Sequence, residues 1–599
     1  MFSKKSWMTL LALLIVSSLA LAGCGAAPEP EVVEVEKVVT QEVEKVVTQV
    51  VQETVIVEGT PEVVEKVVEK VITEVVEVET VVTATPEAAE AEAGEETTVV
   101  IGMPSGFDIL DPNVTTFTRV GRITMPMTDQ LIWQTEVGEF VPGLATEWSV
   151  NEDATEYSFK LRDDVTFHDG TPFNAEAVKF TFDRIVDPET KSQMGLSLIG
   201  PYEETEIIND YEIVVKFSEP YAPFLDSVSE PYLAPVSPTA VETGGYAWGM
   251  HKFVGTGPFM FDSMILDNEV VMVRNPDYNW GPPELGFDGP AKVDKLVFKF
   301  ISEPATRTAA LLTGEIDFLD EVLEVDYPTL EADDAYTTVE MPQAGMGYAL
   351  MFNHERAPTD ELAVRKAMQL AMDKQGMIDT VFNGFGTPSC ALITSTAFGY
   401  CEETCDMAPY DLDAAAAVLE EAGWVDEDGD GFRERDGEPL VIGNYYRADA
   451  GTSNEQAAFL KDNFEKIGIQ VELNGLSRSG YFDAVRSGQH NTQGWWEVSV
   501  DPDMMVRGVL HSSNVGGGTN RNNYVDPEMD DMIAAQAAEP DPEKRAELVC
   551  DILKKVKDEA HMEVWLDPML LYAHDAGLEN VYYYLAGAFP YFGAVTVSE

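Results

Sequence analysis

Apolar residues recur along this chain in two periods. Tyr157, Phe159 and Leu161 alternate with Ser158 and Lys160, the pattern of a half-buried strand. Ile213, Val215 and Phe217 repeat that period around Val214 and Lys216, and the run 99–103 before the Asp111-Pro112 turn predicts a short buried strand. Elsewhere the spacing is helical. After Asn174, a capping residue, Ala177, Val178, Phe180, Thr181 and Ile185 fall near one face. Val364, Ala367, Met368, Ala371, Ile378 and Val381 predict one helix over 362–382, interrupted by Gly376. A helix over 411–422 is closed by Gly423. Ser453 and Gln456 make a capping box for a helix through Phe459, Leu460, Phe464 and Ile467, with Gly468 ending it and a strand, 469–473, following. Pro542 after Asp541 opens a long helix lined by Leu548, Ile552 and Val556. Alternating strands and helices of this kind predict an α/β or α+β class with mixed sheets.

The first hundred residues follow neither rule. Lys4 and Lys5 precede an apolar run, 10–21, too short to span a bilayer and ordered as a secretory signal. It ends Leu21-Ala22-Gly23-Cys24, which resembles a bacterial lipobox, so residues 1–23 are expected to be removed and Cys24 lipidated. Acyl chains there would hold the protein to the outer face of the cytoplasmic membrane or in the periplasm. From 24 to 97 the chain is a Val/Glu-rich stalk or linker, with near-repeats at 35–42 and 43–50. Val64, Val68, Val71, Val75, Val78 and Val82 follow the 4-3-4-3-4 spacing of a coiled-coil seam. Valine is a mediocre helix former and Gly59-Thr60-Pro61 divides the tract, so coiled-coil stalk and extended disordered spacer stay open as readings.

Composition narrows the function classes. At 599 residues two or three domains are expected, and 45% hydrophobic content excludes wholesale disorder. With 106 acids against 38 basic residues the formal charge is −68, which repels a phosphate backbone and excludes nucleic acid as a partner. None of the 7 histidines forms an HExxH pair, and neither a GxSxG elbow nor a P-loop occurs, so nothing marks a surface-anchored hydrolase. A purely structural adhesin leaves the motifs that follow unexplained.

Residues 157–181, YSFKLRDDVTFHDGTPFNAEAVKFT, resemble the signature stretch of the family 5 solute-binding proteins of ABC transporters, the peptide- and nickel-binding group. In that family's order come 255–259 (GTGPF), 274–278 (RNPDY), 305–317 (ATRTAALLTGEID), 364–373, 421–424 (EAGW) and Gly494-Trp495 with Asp501-Pro502. The resemblance covers essentially all of 98–599. It implies an α/β, two-lobed periplasmic-binding-protein-like fold (type II, cluster C) whose lobes are joined by crossing strands and close over a ligand. Mapped here, lobe I would be 98–300 and 495–599, lobe II 301–494, with crossings near 298–302 and 494–496. It also implies a non-enzymatic receptor without a required cofactor, which hands a peptide to the transmembrane subunits of an ABC permease. An oligosaccharide or other solute is the alternative ligand.

Candidate contacts centre on Trp495, Trp496, Glu497 and Asp501. Adjacent residues of a strand point to opposite faces, so one of the two indoles is expected to meet the ligand. Peptide-binding members of the family hold the ligand's amine with an aspartate three positions before the Asp-Pro. Val498 stands there, which leaves Glu497 or Asp501 to substitute. By resemblance Met103, Phe107 and Asp108 would reach the cleft from lobe I, and Tyr348, Asn353 and Tyr400 from lobe II. His168-Asp169-Gly170 belongs to the turn of the signature stretch and is assigned to structure.

Asp426, Asp428, Asp430 and Glu434 take positions 1, 3, 5 and 9 of an EF-hand-like loop with Gly431 at position 6, but position 12 is Gly437. A structural calcium and a bare Gly-rich hairpin are the two readings. Beyond Cys24, four cysteines suit an oxidising compartment; the expectation joins Cys390 to Cys405, or to Cys401, and leaves Cys550 free. No histidine lies at zinc spacing around them.

Overall fold

The computed structural model describes residues 35–57, 60–82 and 96–598, apart from 116, 118, 246, 247, 287, 288, 517, 586 and 587. The signal segment and Cys24 lie outside the described residues. Two units divide the chain at Glu95/Glu96.

In the first unit, Val35–Val57 and Thr60–Val82 pair antiparallel, Val35 opposite Val82 and Val57 opposite Thr60. This corrects both readings of the tract: the valine spacing makes strands, neither a helical seam nor an unstructured spacer. β-Branched side chains are stiff at χ1 and favour the pleated backbone, and only Glu58 and Gly59 separate the two halves.

The second unit, Glu96–Glu599, is built on three sheets. A seven-stranded sheet runs Phe259–Ile265, Glu269–Arg274, Lys295–Phe300, Thr98–Met103, Phe318–Leu319, Met569–Asp575 and Tyr336–Pro342. Beside it in sequence lies a four-stranded sheet of Ala145–Val150, Glu156–Leu161, Glu212–Phe217 and Tyr202–Asn209. Both share one apolar core, from Val99 through Phe159, Phe182 and Phe224 to Phe298 and Tyr572. A six-stranded sheet makes the second lobe: Thr387–Pro388, Met562–Asp567, Gly345–Phe352, Thr492–Val498, Val441–Arg447 and Gln470–Leu476. One face packs Val364, Met368, Leu419 and Phe464; the other packs Met505, Val509, Ile533, Val549 and Ile552.

The chain therefore crosses between lobes at 343–344 and at Pro568, not near 298–302 and 494–496. The first lobe holds 96–342 and 569–598, the second 345–567. Residues 301–342 stay with the first lobe because Phe318 pairs with Ile101 and Tyr336 with Asp575. Residues 495–567 stay with the second because Trp495 pairs with Ala349 and Ala349 with Val564.

Local signals hold where the cap is a side chain. Asn174 accepts from the Ala177 amide at the start of Ala175–Val186, and Asp541 caps Pro542–Asp558. The helix expected over 362–382 is two, Leu362–Leu370 and Lys374–Val381: Asp373 accepts from the Gly376 amide at 2.9 Å and starts a new helix. At Ser453–Glu465 the N-cap position is Thr452, which makes no side-chain cap hydrogen bond; its hydroxyl accepts from the Gln456 side chain at 3.0 Å, so the capping box expected at Ser453 does not form.

Cys390 bonds Cys405, as expected, but Cys401 bonds Cys550, so Cys550 is not free. Cys401 is buried beside Val549 and Ile552, which brings the long helix's cysteine to it. Opening the Cys390–Cys405 bridge with paired serines is expected to cost about 3 kcal/mol through a freer unfolded chain, measured by urea unfolding against wild type. No helix among the described residues is long and apolar enough to cross a membrane.

Candidate functional site

Strand Thr492–Val498 ends at the first lobe, and its alternation separates Trp495 and Glu497 from Trp496 and Val498. Trp496 is 44% exposed, the most open indole-bearing position on this strand, and its ring lies 5.2 Å from that of Tyr348 on the neighbouring strand. Tyr348 in turn stacks on Phe382 at 6.0 Å. Burial lifts the Tyr348 hydroxyl to about 12, and the carboxylates of Glu321 and Glu324 push the same way while Arg119 opposes them. Those three residues belong to the first lobe, so the Trp496–Tyr348 pair faces a charged surface across the cleft. There Arg119 grips Glu321 through two nitrogens at 2.6 and 3.1 Å, and Arg122, buried, holds Asp320 at 2.7 Å.

On the other face, the Trp495 indole N–H donates to Glu497 Oε1 at 2.9 Å, and the Arg521 guanidinium lies 3.5 Å from the indole centroid. Burial raises the Glu497 carboxyl, partly offset by the Trp495 hydrogen bond and Arg521. Phe482 meets Trp495 edge-on at 6.5 Å. Arg478 stacks over Phe117 of the first lobe at 5.7 Å and so bridges the two lobes.

Other expected contacts serve the frame. Asp501 is buried, accepts from the Asp503 amide as the cap of Pro502–Leu510, and is held by Arg545 at 2.7 Å; it is no free amine receptor. Met103 is fully buried in the first lobe's core. Asn353 is likewise buried, donating to the His490 carbonyl at 2.9 Å and accepting from Asn523 at 3.1 Å, so it ties loops together rather than lining a cleft. Phe107 packs edge-on against Phe300 at 6.0 Å, and Asp108 accepts from the Thr115 hydroxyl at 2.6 Å. The Tyr400 hydroxyl stands 3.5 Å from Cys405 Sγ.

His168 accepts from the Gly255 amide and donates to the Gly257 carbonyl, with burial depressing its pKa to about 4; its ring is a structural link. In the acidic loop, Asp426, Asp428 and Glu434 bring carboxylate oxygens within 4.8 Å of one another. Asp430 is not among them; its carboxylate accepts from the Phe432 amide. Asp426 accepts the Gly429 and Gly431 amides, Asp428 the Asp430 amide and Glu434 the Glu427 amide.

The sequence reading missed Arg119, Glu321, Arg478, Phe482 and Arg521. Only the last left a signal: the stretch Gly518-Thr-Asn-Arg-Asn-Asn-Tyr524 carries an arginine with no acid beside it, in a chain where acids outnumber bases almost threefold.

Residues 139–517 match the family model of the bacterial extracellular solute-binding proteins, family 5. The nickel-binding periplasmic protein of Escherichia coli K12 is 29% identical over 484 residues, 78% of this chain and 88% of its own. The dipeptide-binding protein of the same strain is 26% identical over 505 residues, 80% and 89% of the two chains. Among solved structures, NikA from Brucella suis in complex with Fe(III)-EDTA superposes with a TM-score of 0.74 at 24% identity, covering 84% of this chain and all of that one. DppA from Helicobacter pylori in complex with the peptide STSA gives 0.69 at 23%, covering 84% and 98%. With the family match spanning most of a two-lobed fold built as those structures are, the chain belongs to the bacterial extracellular solute-binding proteins of family 5.

Proposed function

We propose that this protein captures a peptide between its two lobes and delivers it to the transmembrane subunits of an ABC importer, anchored outside the membrane through lipid on Cys24. The observation that carries the reading is the split site: Trp496 and Tyr348 on the second lobe oppose Arg119, Glu321 and Glu324 on the first. A ligand touching both halves favours the closed form by its added contacts, and closure is what a permease can read. Flat aromatic faces suit peptide groups and side chains of varied sequence, while the charged wall opposite suits their termini. The protein binds rather than turns over its ligand in this reading, and needs no cofactor.

A second reading, an oligosaccharide receptor, draws on the exposed Trp496 and on Val498 in the place of the family's amine-binding aspartate. A thermal-shift and calorimetric screen of the full chain against di- and oligopeptides, oligosaccharides and nickel separates the readings, since binding the native state alone raises the Tm. A shift with peptides supports the first, and a shift with saccharides alone replaces it. Trp496→Ala is expected to weaken the binding of whichever ligand shifts the Tm by about 5- to 10-fold, from the lost stacking face, with the unliganded Tm unchanged because the indole is exposed.

A further inference from the structure

Among the described residues, arginines that are not exposed are almost all matched. Arg119, Arg122, Arg184, Arg435 and Arg545 each hold a carboxylate, and Arg307 and Arg365 are spent on backbone carbonyls. Arg521 is different. Among the described residues it forms no ion pair, and its Nη1 is buried without a hydrogen-bond partner. Its guanidinium is held flat, 3.5 Å from the Trp495 ring centroid and 5.1 Å from that of Phe482. Arg478 and Arg486 also stack over Phe482, at 5.9 and 5.7 Å, and Arg478 reaches on to Phe117 of the first lobe.

Glu497 is the acid facing Arg521, but its carboxylate already accepts the Trp495 N–H, and burial favours its neutral form. The Tyr481 hydroxyl, the other neighbour, donates to the Gly494 carbonyl at 2.9 Å. Burial lowers the Arg521 pKa, and neither neighbour supplies a full opposing charge. A guanidinium left without an anion in a protein of charge −68 is costly unless a partner arrives. An acidic protein also repels anionic ligands at long range, so selecting one demands a local concentration of positive charge such as this.

We propose that Arg521, pre-oriented on Trp495 and flanked by Arg478, receives a carboxylate of the bound solute. The inference rests on the capture reading and names the chemistry of the ligand: an anionic group, supplied by a peptide C-terminus or by a small polycarboxylate. Stacking fixes the guanidinium plane, so little side-chain freedom is lost when two parallel N–H groups meet two oxygens.

Calorimetry on the full chain tests this with trialanine, trialanine amide and citrate, using wild type, Arg521→Gln and Arg521→Lys. Far-UV circular dichroism and the unliganded Tm report folding, and the lysine variant keeps the charge should glutamine unfold the loop. The expected result is that carboxylate-bearing probes bind wild type about 10- to 100-fold more tightly than Arg521→Gln, with Arg521→Lys between them. Trialanine amide should bind wild type and Arg521→Gln alike. Citrate binding that depends on Arg521, with both peptides silent, would uphold the carboxylate site and overturn the peptide reading. Trialanine binding equally to wild type and folded Arg521→Gln would overturn the carboxylate site and leave the peptide reading standing. Silence with both carboxylate probes would overturn the site as well.

Discussion

Arg545→Met is expected to lower the unfolding free energy by about 3–5 kcal/mol, the cost of leaving a buried carboxylate without its counter-ion. Arg545 reaches from the helix Pro542–Asp558 to Asp501, which it meets with two nitrogens, and to the Gln536 side chain at 3.0 Å. Both charged side chains are more than nine-tenths buried. Asp501 in turn caps Pro502–Leu510, so one ion pair fixes the strand end, the helix start and the long helix behind them. The loss is local in origin but wide in effect, because the segment after Trp495 and Trp496 takes its direction from this cap. Urea unfolding of Arg545→Met beside Arg545→Met/Asp501→Asn checks it. The double variant should recover part of the loss, since replacing both charges removes the orphan. Equal loss in single and double variants would show that packing of the arginine stem, not charge, carries the effect.

The second large effect is on the pH dependence of stability. Glu230 lines a small pocket between the lobes, with Gln134, Tyr221 and Asp226 from the first and Ser499, Val500 and Asp501 from the second. Burial pushes its pKa up from 4.5 to about 8, helped by Asp226. Asp226 is itself raised, by burial and then by Asp501, against Arg545 and a 2.7 Å hydrogen bond from Gln134. Tyr232 and Tyr584 also face Glu230 and offer no positive charge.

An acid whose folded pKa lies above its unfolded value holds its proton more firmly when folded. The associated stability is complete below the unfolded pKa and drains as pH rises through the folded one. Between about pH 4.5 and 8, Glu230 therefore weakens the native state progressively. Glu230→Gln should match wild type at pH 4 and exceed it at pH 9 by an amount on the order of 4 kcal/mol. The buried histidines His354 and His561, depressed to about 3 and about 2, act in the opposite sense as pH falls below 6.5. The difference between variant and wild type cancels them, so chemical unfolding of both across pH 4–9 isolates the carboxyl. A difference that stays flat with pH would remove Glu230 as its source.

How much of the site was legible follows from where each residue gets its role. Trp495 and Trp496 announce themselves as adjacent indoles on an alternating strand, and the strand places them on opposite faces as the period requires. Tyr348 was reached by resemblance and does face the cleft. Asp501 was misjudged because its position beside the aromatics says nothing of Arg545, 44 residues away, which neutralises it. Met103 and Asn353 were misjudged for the same reason: the one is covered by the core and the other by the loops around His490 and Asn523. Arg521 gave only the faint sign of an arginine without nearby acids. Its stacking on Trp495 depends on a loop returning to a strand 26 residues earlier.

The sequence by itself determined the order of elements, the helix starts at Asn174, Asp411 and Asp541, the strand faces, and the family, because these rest on spacing and on side chains acting within a few residues. Lobe membership, the second disulfide, the form of the valine tract and the pairing of each buried charge were decided only in the tertiary structure. Strand Thr492–Val498 joins the sheet of Gly345–Phe352, and Cys550 finds Cys401 across 149 residues. The physical reason is that such partners are chosen by burial and by the competition among distant strands and charges, neither of which has any fixed separation along the chain.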